Sequence, residues 1–388
     1  MASLDGLRGV ACLAIFVFHG WLYTMPTPQA SARDGVGEYA VHELRLALVS
    51  FFVLSGFLLY RPWVKAALGG RSRPDLRVYV RARVARIAPA YYAALIGSIV
   101  LLWGLSGTTG LRLPPAGELP LFFVFAQNFS PNSVLKLNPP MWSLAVEVCF
   151  YAVLPLLGWL AVKLPRDRRA QALVPLALVA GGILFNWSIA GESRGLTFSK
   201  TLPAVAPYFG VGMLAALLLH GRTPGQSARR AMVAGGMTLV AADAFVKAIG
   251  PAGAFDPFPW FSIFRDLPSG IGFALITAYL ASSLKGGVLS GRVLAGMGTI
   301  SYGFYLWHVP VLLFLRGHGL LPLDPVLGTL VALGPALAVA TLSWFALERP
   351  AIRWAARRNG RARREREATL RRGADGRAGG REVGTVRA

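Results

Sequence analysis

The sequence predicts an all-α, polytopic membrane protein of about ten transmembrane helices, with both termini on the cytosolic side. Three observations carry that expectation. The 388-residue chain is 54% hydrophobic and only 15% charged, with a mean hydropathy of +0.51, whereas soluble domains are about a quarter charged. It contains ten mostly apolar runs of roughly the ~20 residues needed to cross a bilayer. Its basic residues are concentrated in alternate loops, which sets orientation.

The apolar runs lie near residues 8–25, 44–60, 87–105, 141–162, 172–190, 204–220, 231–249, 268–284, 294–316 and 325–347. A further patch, Leu119 to Phe125, is too short to cross and lies between proline-rich stretches. It reads as a re-entrant or interfacial segment, a conformation that lipid tolerates only where protein buries the backbone. The loops 61–86, 163–171, 221–230 and 285–293, the tail from Arg349, and Arg8 together hold 31 of the 40 lysines and arginines. The intervening loops are poor in basic residues. Counting 119–125 as a full span would invert every later loop, so ten spans is the consistent number. Localisation in the cytoplasmic membrane, as a multi-pass protein, follows.

Residues 1–350 therefore read as one transmembrane domain, and 351–388 as a basic, disordered cytosolic tail. The net charge of +22 sets topology and favours anionic headgroups of the lipid bilayer; no nucleic-acid-binding fold accompanies it. Arg8 ahead of an apolar run superficially resembles a signal peptide. Asp5, His19 and the lack of a small-residue cleavage site argue against removal. Cys12 and Cys149 offer neither a disulfide framework nor metal-ligand spacing, and no metal site is expected.

An ionisable side chain at mid-membrane costs at least ~2.5–3.5 kcal/mol, so each one within a span is a candidate site. His19 lies six residues before Met25, and Glu147 six residues after Met141. At ~1.5 Å per residue both fall ~9 Å below the outer boundary. A His and a Glu at one depth read as a base with its orienting carboxylate, or as a structural pair joining two helices. Arg83 and Arg86, spaced i, i+3, share a helix face and with Arg8 would form a cationic mouth. The residues alone favour simple topology-setting for these arginines. Asp243 and Lys247, at i, i+4, read as a self-neutralising pair. His308, in the run Ser301 to His308, would line the same cavity or act as interhelical glue. Trp142 and Ser143 open the fourth span at the interface. Zinc-protease, nucleophile-elbow and Walker motifs are absent, as is a His followed five residues later by Asp.

Six blocks resemble one family. They are Leu4-Asp5-Gly6-Leu7-Arg8-Gly9 leading to His19; Phe51 to Phe57; Arg83-x-x-Arg86 with Pro89 and Tyr91; Trp142-Ser143-Leu144 with Glu147 and Tyr151; Ser301-Tyr302 to Trp307-His308; and Glu348-Arg349-Pro350. Their order, over residues 4–350, resembles the acyltransferase-3 family of bacterial integral-membrane O-acyltransferases. The resemblance implies a ten-helix domain moving an acyl group, usually acetyl, from a coenzyme A thioester to a hydroxyl. It implies catalytic roles for His19 and Glu147. It implies substrate binding by Arg8, Arg83 and Arg86, which reverses the residue-level reading of the arginines; Ser143, Trp142, Tyr302 and His308, in the same blocks, are expected to join them in binding substrate. No cofactor is expected to remain bound; acetyl-CoA or another short acyl-CoA is the expected donor. Many members add an esterase-like domain after the last helix, where here a basic tail follows. The expected acceptor is a hydroxyl of a macrolide or similar secondary metabolite, with a surface or exported polysaccharide as the alternative. A rival of another class is a transporter, because ten helices with midplane polar groups also suit one.

Overall fold

The computed structural model describes residues 2–25, 36–69, 72–190, 195–249, 263–283 and 287–361. The tail beyond 361 lies outside these, as do Asp34, Arg71, Glu192, Asp256 and Lys285 of the loop-charge pattern. The helices are α1 (Ala2–Thr24), α2 (Val36–Glu43), α3 (Ala47–Gly69), α4 (Leu76–Leu102), α5 (Leu119–Phe123), α6 (Met141–Lys163), α7 (Arg168–Ser188), α8 (Gly195–Phe198), α9 (Leu202–Leu219), α10 (Gln226–Ile249), α11 (Leu267–Ser282), α12 (Arg292–Gly317) and α13 (Pro325–Ser343). No strand occurs among the described residues. Eight helical stretches are long and apolar enough to cross a membrane, and α10 and the 16-residue α11 occupy the places of the seventh and eighth expected spans. The chain is a multi-pass, all-α membrane protein.

Local sequence sets the helix ends. Asp75, Asp167 and Asp324 cap α4, α7 and α13 by accepting backbone N–H bonds of the first turn, such as Arg77 N at 2.8 Å and Leu327 N at 2.7 Å, which satisfies donors the helix leaves orphaned. Val100, Trp187 and Leu330 are among the large apolar side chains left exposed, a cost in water that vanishes in lipid.

Two packed groups make up the bundle. In one, α1 lies along α12, which also packs on α13 and α4; in the other, α3 lies along α9, α9 along α7, and α10 along α11. Small residues allow the closest approaches, as in other membrane helix pairs. A Cβ on Gly298 of α12 would strike the Asp5 carbonyl of α1, and one on Gly56 of α3 would strike the Phe209 carbonyl of α9. Helix α3 joins the groups, because it contacts α1, α6, α9 and α11.

The segment 106–140 folds over the end of the bundle. Tyr91 and Tyr92 of α4 donate to the Phe122 and Phe123 carbonyls at 2.8 and 2.9 Å, so the last two carbonyls of α5 are met by protein side chains. Beyond Ser343 the last helix passes through a π-helical turn, Trp344–Glu348, and continues to Arg361. The wider turn directs Glu348 inward, where it is fully buried; π-turns of this kind mark functional positions in helices.

Candidate active site

Two chambers sit end to end inside the bundle. The first, of about 340 Å³, is walled by Arg8, Arg83, Arg86, Ser55, Ser143, Glu147, Tyr151, Ser301 and Tyr302 among others. The second, of about 320 Å³, includes His19, Arg45, Arg112, Trp142, Lys200, Tyr208, Arg265 and Asp266. Leu48, Phe52 and Tyr305 line both and form the partition.

Helical periodicity builds this arrangement. Arg8, Ile15 and His19 fall on one face of α1 at i, i+7 and i+11. That places Arg8 and His19 in different chambers, separated by about 16 Å of helix rise. On α3, Leu48, Phe52, Ser55 and Leu59 form a single stripe that runs from one chamber to the other.

The arginine chamber is cationic and helix-built. Arg83 stacks over the Tyr151 ring and Arg86 over the Tyr302 ring, at 5.6 and 5.5 Å. Arg8 pairs with Asp5 at 3.2 Å and Arg86 with the buried Glu348 at 3.8 Å. Glu147 accepts from the Ser55 and Tyr151 hydroxyls at 2.5 and 2.6 Å. Tyr302 donates to the Ile87 carbonyl at 2.9 Å, and Ser143 and Tyr305 share a hydroxyl–hydroxyl bond of 2.8 Å. The three arginines read from the sequence thus share one wall.

The expected pairing of His19 with Glu147 is not what the structure shows. The ring of His19 hydrogen-bonds His308, Nδ1 to Nε2, at 2.9 Å, while Glu147 belongs to the arginine chamber. The depth count fails for a physical reason. Met141 is fully buried, and Gln127 and Asn128 of the covering segment donate to the Met141 and Trp142 carbonyls at 3.2 and 2.7 Å. The helix α6 therefore begins inside the protein, and six residues further on Glu147 is beyond the level of His19. His308 is also placed differently from a substrate-binding role: only 1% exposed, it stands behind His19 and on neither chamber wall. Trp142 lines the histidine chamber, and Ser143 and Tyr302 the arginine chamber.

The histidine pair has a defined polarity. His308 Nδ1 lies 3.1 Å from the Phe304 carbonyl, which can only accept, so that nitrogen carries the hydrogen. Neutral His308 then presents a bare Nε2, and His19 donates to it from Nδ1. Neutral His19 consequently keeps its lone pair on Nε2, the tautomer a base requires.

The second chamber draws its charged wall from segments between the long helices. Asp266 binds Arg45 at 3.3 Å and Lys247 at 2.7 Å; Lys247 also meets Asp243 at 2.7 Å, as the i, i+4 spacing suggested. Burial alone would raise the Asp266 carboxyl, but Arg45 and Lys247 outweigh it and hold it below the usual carboxylate range. Among the described residues no group of three His, Cys, Asp or Glu side chains could hold a metal ion.

Sequence reasoning about single residues passes over Ser55, Tyr151, Tyr305 and Glu348 as site groups. Glu348 is visible there only as part of a motif. Its signal is Gly303, where a Cβ would strike Glu348 Oε1, so that only glycine lets the carboxylate reach Arg86 past α12.

The fold and site are those of a polytopic membrane protein with a histidine and three arginines lining internal chambers, and the family to which the sequence belongs makes its class that of membrane acyltransferases. The family model described as an acyltransferase domain matches residues 1–345, and the chain belongs to that family, acyltransferase-3. It is 28% identical to "Acyltransferase MdmB" of Streptomyces mycarofaciens, over 83% of this chain and 81% of the relative. It is 27% identical to "Exopolysaccharide production protein ExoZ" of Rhizobium meliloti, over 81% of this chain and 90% of the relative. It is 24% identical to "Peptidoglycan O-acetyltransferase OatA" of Listeria monocytogenes, over 80% of this chain but only 49% of the relative. The chain thus spans about half the length of that peptidoglycan enzyme. No solved structure matches the chain.

Proposed function

We propose that the protein is an acyl-CoA-dependent O-acyltransferase of the cytoplasmic membrane, which passes a short acyl group from the arginine chamber to an acceptor hydroxyl in the histidine chamber. The single observation that carries this reading is the pair of abutting chambers, one lined by three arginines and one by His19, divided by three side chains. Arg8, Arg83 and Arg86 would hold the phosphates of the donor through charge-assisted hydrogen bonds, for which the guanidinium fork is well shaped. The positive-inside pattern would put this chamber toward the cytosol. The thioester would then reach past Phe52 and Tyr305 toward His19.

In the reaction, the acceptor hydroxyl oxygen attacks the thioester carbonyl while His19 Nε2 takes its proton. Collapse of the tetrahedral adduct forms the ester and breaks the carbon–sulfur bond, and the imidazolium returns the proton to the departing thiolate. His308 holds the required tautomer. Glu147 anchors Ser55 and Tyr151 beside the arginines and is a positioning residue in this scheme. Between the macrolide and the saccharide acceptor that the resemblance implies, we favour a sugar hydroxyl, because Arg45, Lys200, Arg265 and Asp266 give the second chamber a polar, hydrogen-bonding wall.

The test offers membranes containing the protein labelled acetyl-CoA with a panel of glycans and macrolides, and analyses products by mass spectrometry. An acetylated sugar hydroxyl is expected. Flux of an acceptor across the membrane with no acetyl-CoA consumed would replace the enzyme by a transporter.

A further inference from the structure

The histidine chamber carries more positive charge than its own wall neutralises. Its described carboxylate, Asp266, is already engaged by Arg45 and Lys247, and Arg45 is further paired with Glu43 at 2.9 Å. Two further cations of the wall are Lys200 and Arg265. Lys200 lies with its ammonium 4.5 Å from the centre of the Trp142 ring, and among the described residues that ammonium makes no hydrogen bond or ion pair. Its charged neighbours are Arg265 and Arg45, which repel it, and Asp266. Arg265 donates to the Ser199 carbonyl at 2.7 Å, and no carboxylate pairs with it among the described residues. Bringing cations together out of water is costly unless a counter-charge arrives.

The two are also held in place, which loose surface cations are not. Asn128 is 2% exposed and donates from one amide nitrogen to the carbonyls of both Trp142 and Lys200, at 2.7 and 2.6 Å. That bond clamps the lysine backbone to the helix bearing the ring it covers. On the other side Arg265 ties down Ser199. Arg265 itself has φ of +50°, a left-handed conformation that costs a non-glycine residue on the order of 1–3 kcal/mol and gathers at ligand sites.

We infer that the histidine chamber binds its acceptor through an anionic group, a carboxylate or phosphate borne on a sugar, which Lys200 and Arg265 hold while a hydroxyl of the same molecule faces His19. Binding rests on the chamber alone, and only the chemistry after binding rests on the acyl-transfer reading. The two cations supply the orientation of the sugar, and the ring of Trp142, which Lys200 overlies, holds the lysine in place. An acceptor carrying a protonated amine would be repelled.

The experiment uses the full chain in lipid nanodiscs without acyl-CoA, and four probes: glucose 1-phosphate, glucuronate, glucose and glucosamine. Ligand-observed NMR titration reads their affinities. Both anionic sugars are expected to bind at least tenfold more tightly than glucose, and the stronger of the two identifies phosphate or carboxylate as the natural group. Lys200→Gln should remove most of that advantage and Lys200→Arg should keep it. Lys200→Glu should turn the order toward glucosamine, a gain that misfolding cannot produce. Equal binding of glucose and the anions, or an order unchanged in Lys200→Glu, would overturn the proposal. A parallel assay with labelled acetyl-CoA separates the two readings. Charge-dependent binding without acetyl transfer would sink the enzyme and leave the anion site standing. Acetyl transfer with no preference for anions would do the reverse.

Discussion

The two chambers are similar in size and opposite in construction. The arginine chamber is built from long helices: its charged and hydroxyl groups stand on α1, α3, α4, α6 and α12 at helical spacing. Much of the histidine chamber comes from connecting segments, with Gly110, Arg112, Leu135, Pro139, Lys200, Arg265 and Asp266 around a core of helix residues. Sites on helices are held more precisely than sites on loops, while loops vary at little cost to the scaffold. The difference teaches which half is fixed and which is adaptable. In the proposed reaction the donor would occupy the rigid half and the acceptor the adaptable one.

The largest test of this division is at the base. Substituting His19→Ala should lower acetyl transfer by about 10²–10⁴-fold, the range of a general base, with the protein still folded in the membrane and acetyl-CoA still bound. Product formed at the normal rate would remove His19 from the chemistry and the division with it.

Next comes the rigid half. Arg83→Ala should weaken acetyl-CoA binding by about 10–100-fold, because a hydrogen bond to a charged group contributes roughly 1.5–3 kcal/mol. Acetyl-pantetheine, which lacks the terminal phosphates, should be used equally by the variant and the natural protein. A matching loss with both donors would show that Arg83 supports the structure and holds no phosphate.

How much of this is legible in the sequence depends on whether one helix or several define the feature. The α1 face that carries Arg8 and His19, and the i, i+3 arginines of α4, are properties of a single helix, and their placement follows from 3.6-residue periodicity. The pairing of His19 is not legible, because it depends on how deeply α6 starts. That depth is set by Asn128 and Gln127, in a segment whose fold has no periodicity to read. The inward turn of Glu348 is hidden for a related reason. A π-turn shifts the helical register by one residue, so a pattern read at 3.6 residues per turn assigns Glu348 the wrong face. Lys200 and Arg265 look like ordinary loop cations, because only tertiary structure brings Trp142 beneath one of them.

A smaller effect is expected behind the base. His308→Ala removes the side-chain acceptor of His19 Nδ1–H, leaving the Ile15 carbonyl of its own helix, and should lower kcat by about tenfold, or ~1.4 kcal/mol of barrier, with KM for either substrate little changed. His308→Gln can accept from His19 through its carbonyl and donate to Phe304 through its amide, so it should recover most of the activity. Steady-state kinetics on the two variants decides the matter. Equal losses in both would mean that His308 fills space and sets no tautomer.

The smallest effect concerns Glu348, where two influences oppose each other. Removing its charge by Glu348→Gln makes the arginine chamber more positive, which favours a polyanionic donor. The same change releases Arg86, whose guanidinium is held between the carboxylate at 3.8 Å and the Tyr302 ring at 5.5 Å. An ordered guanidinium loses less freedom when it binds, so releasing it raises the cost of holding a phosphate by about 0.5–1.5 kcal/mol per side chain. The Coulomb gain is softened because the 3.8 Å pair is already long and Arg86 stands partly open to the chamber, where the effective dielectric is high. Ordering should therefore win narrowly, and KM for acetyl-CoA should rise about threefold, ~0.65 kcal/mol, with kcat unchanged. A fall in KM would mean that Glu348 merely screens Arg86, and that the rigid half is positioned by α4 and Tyr302 alone.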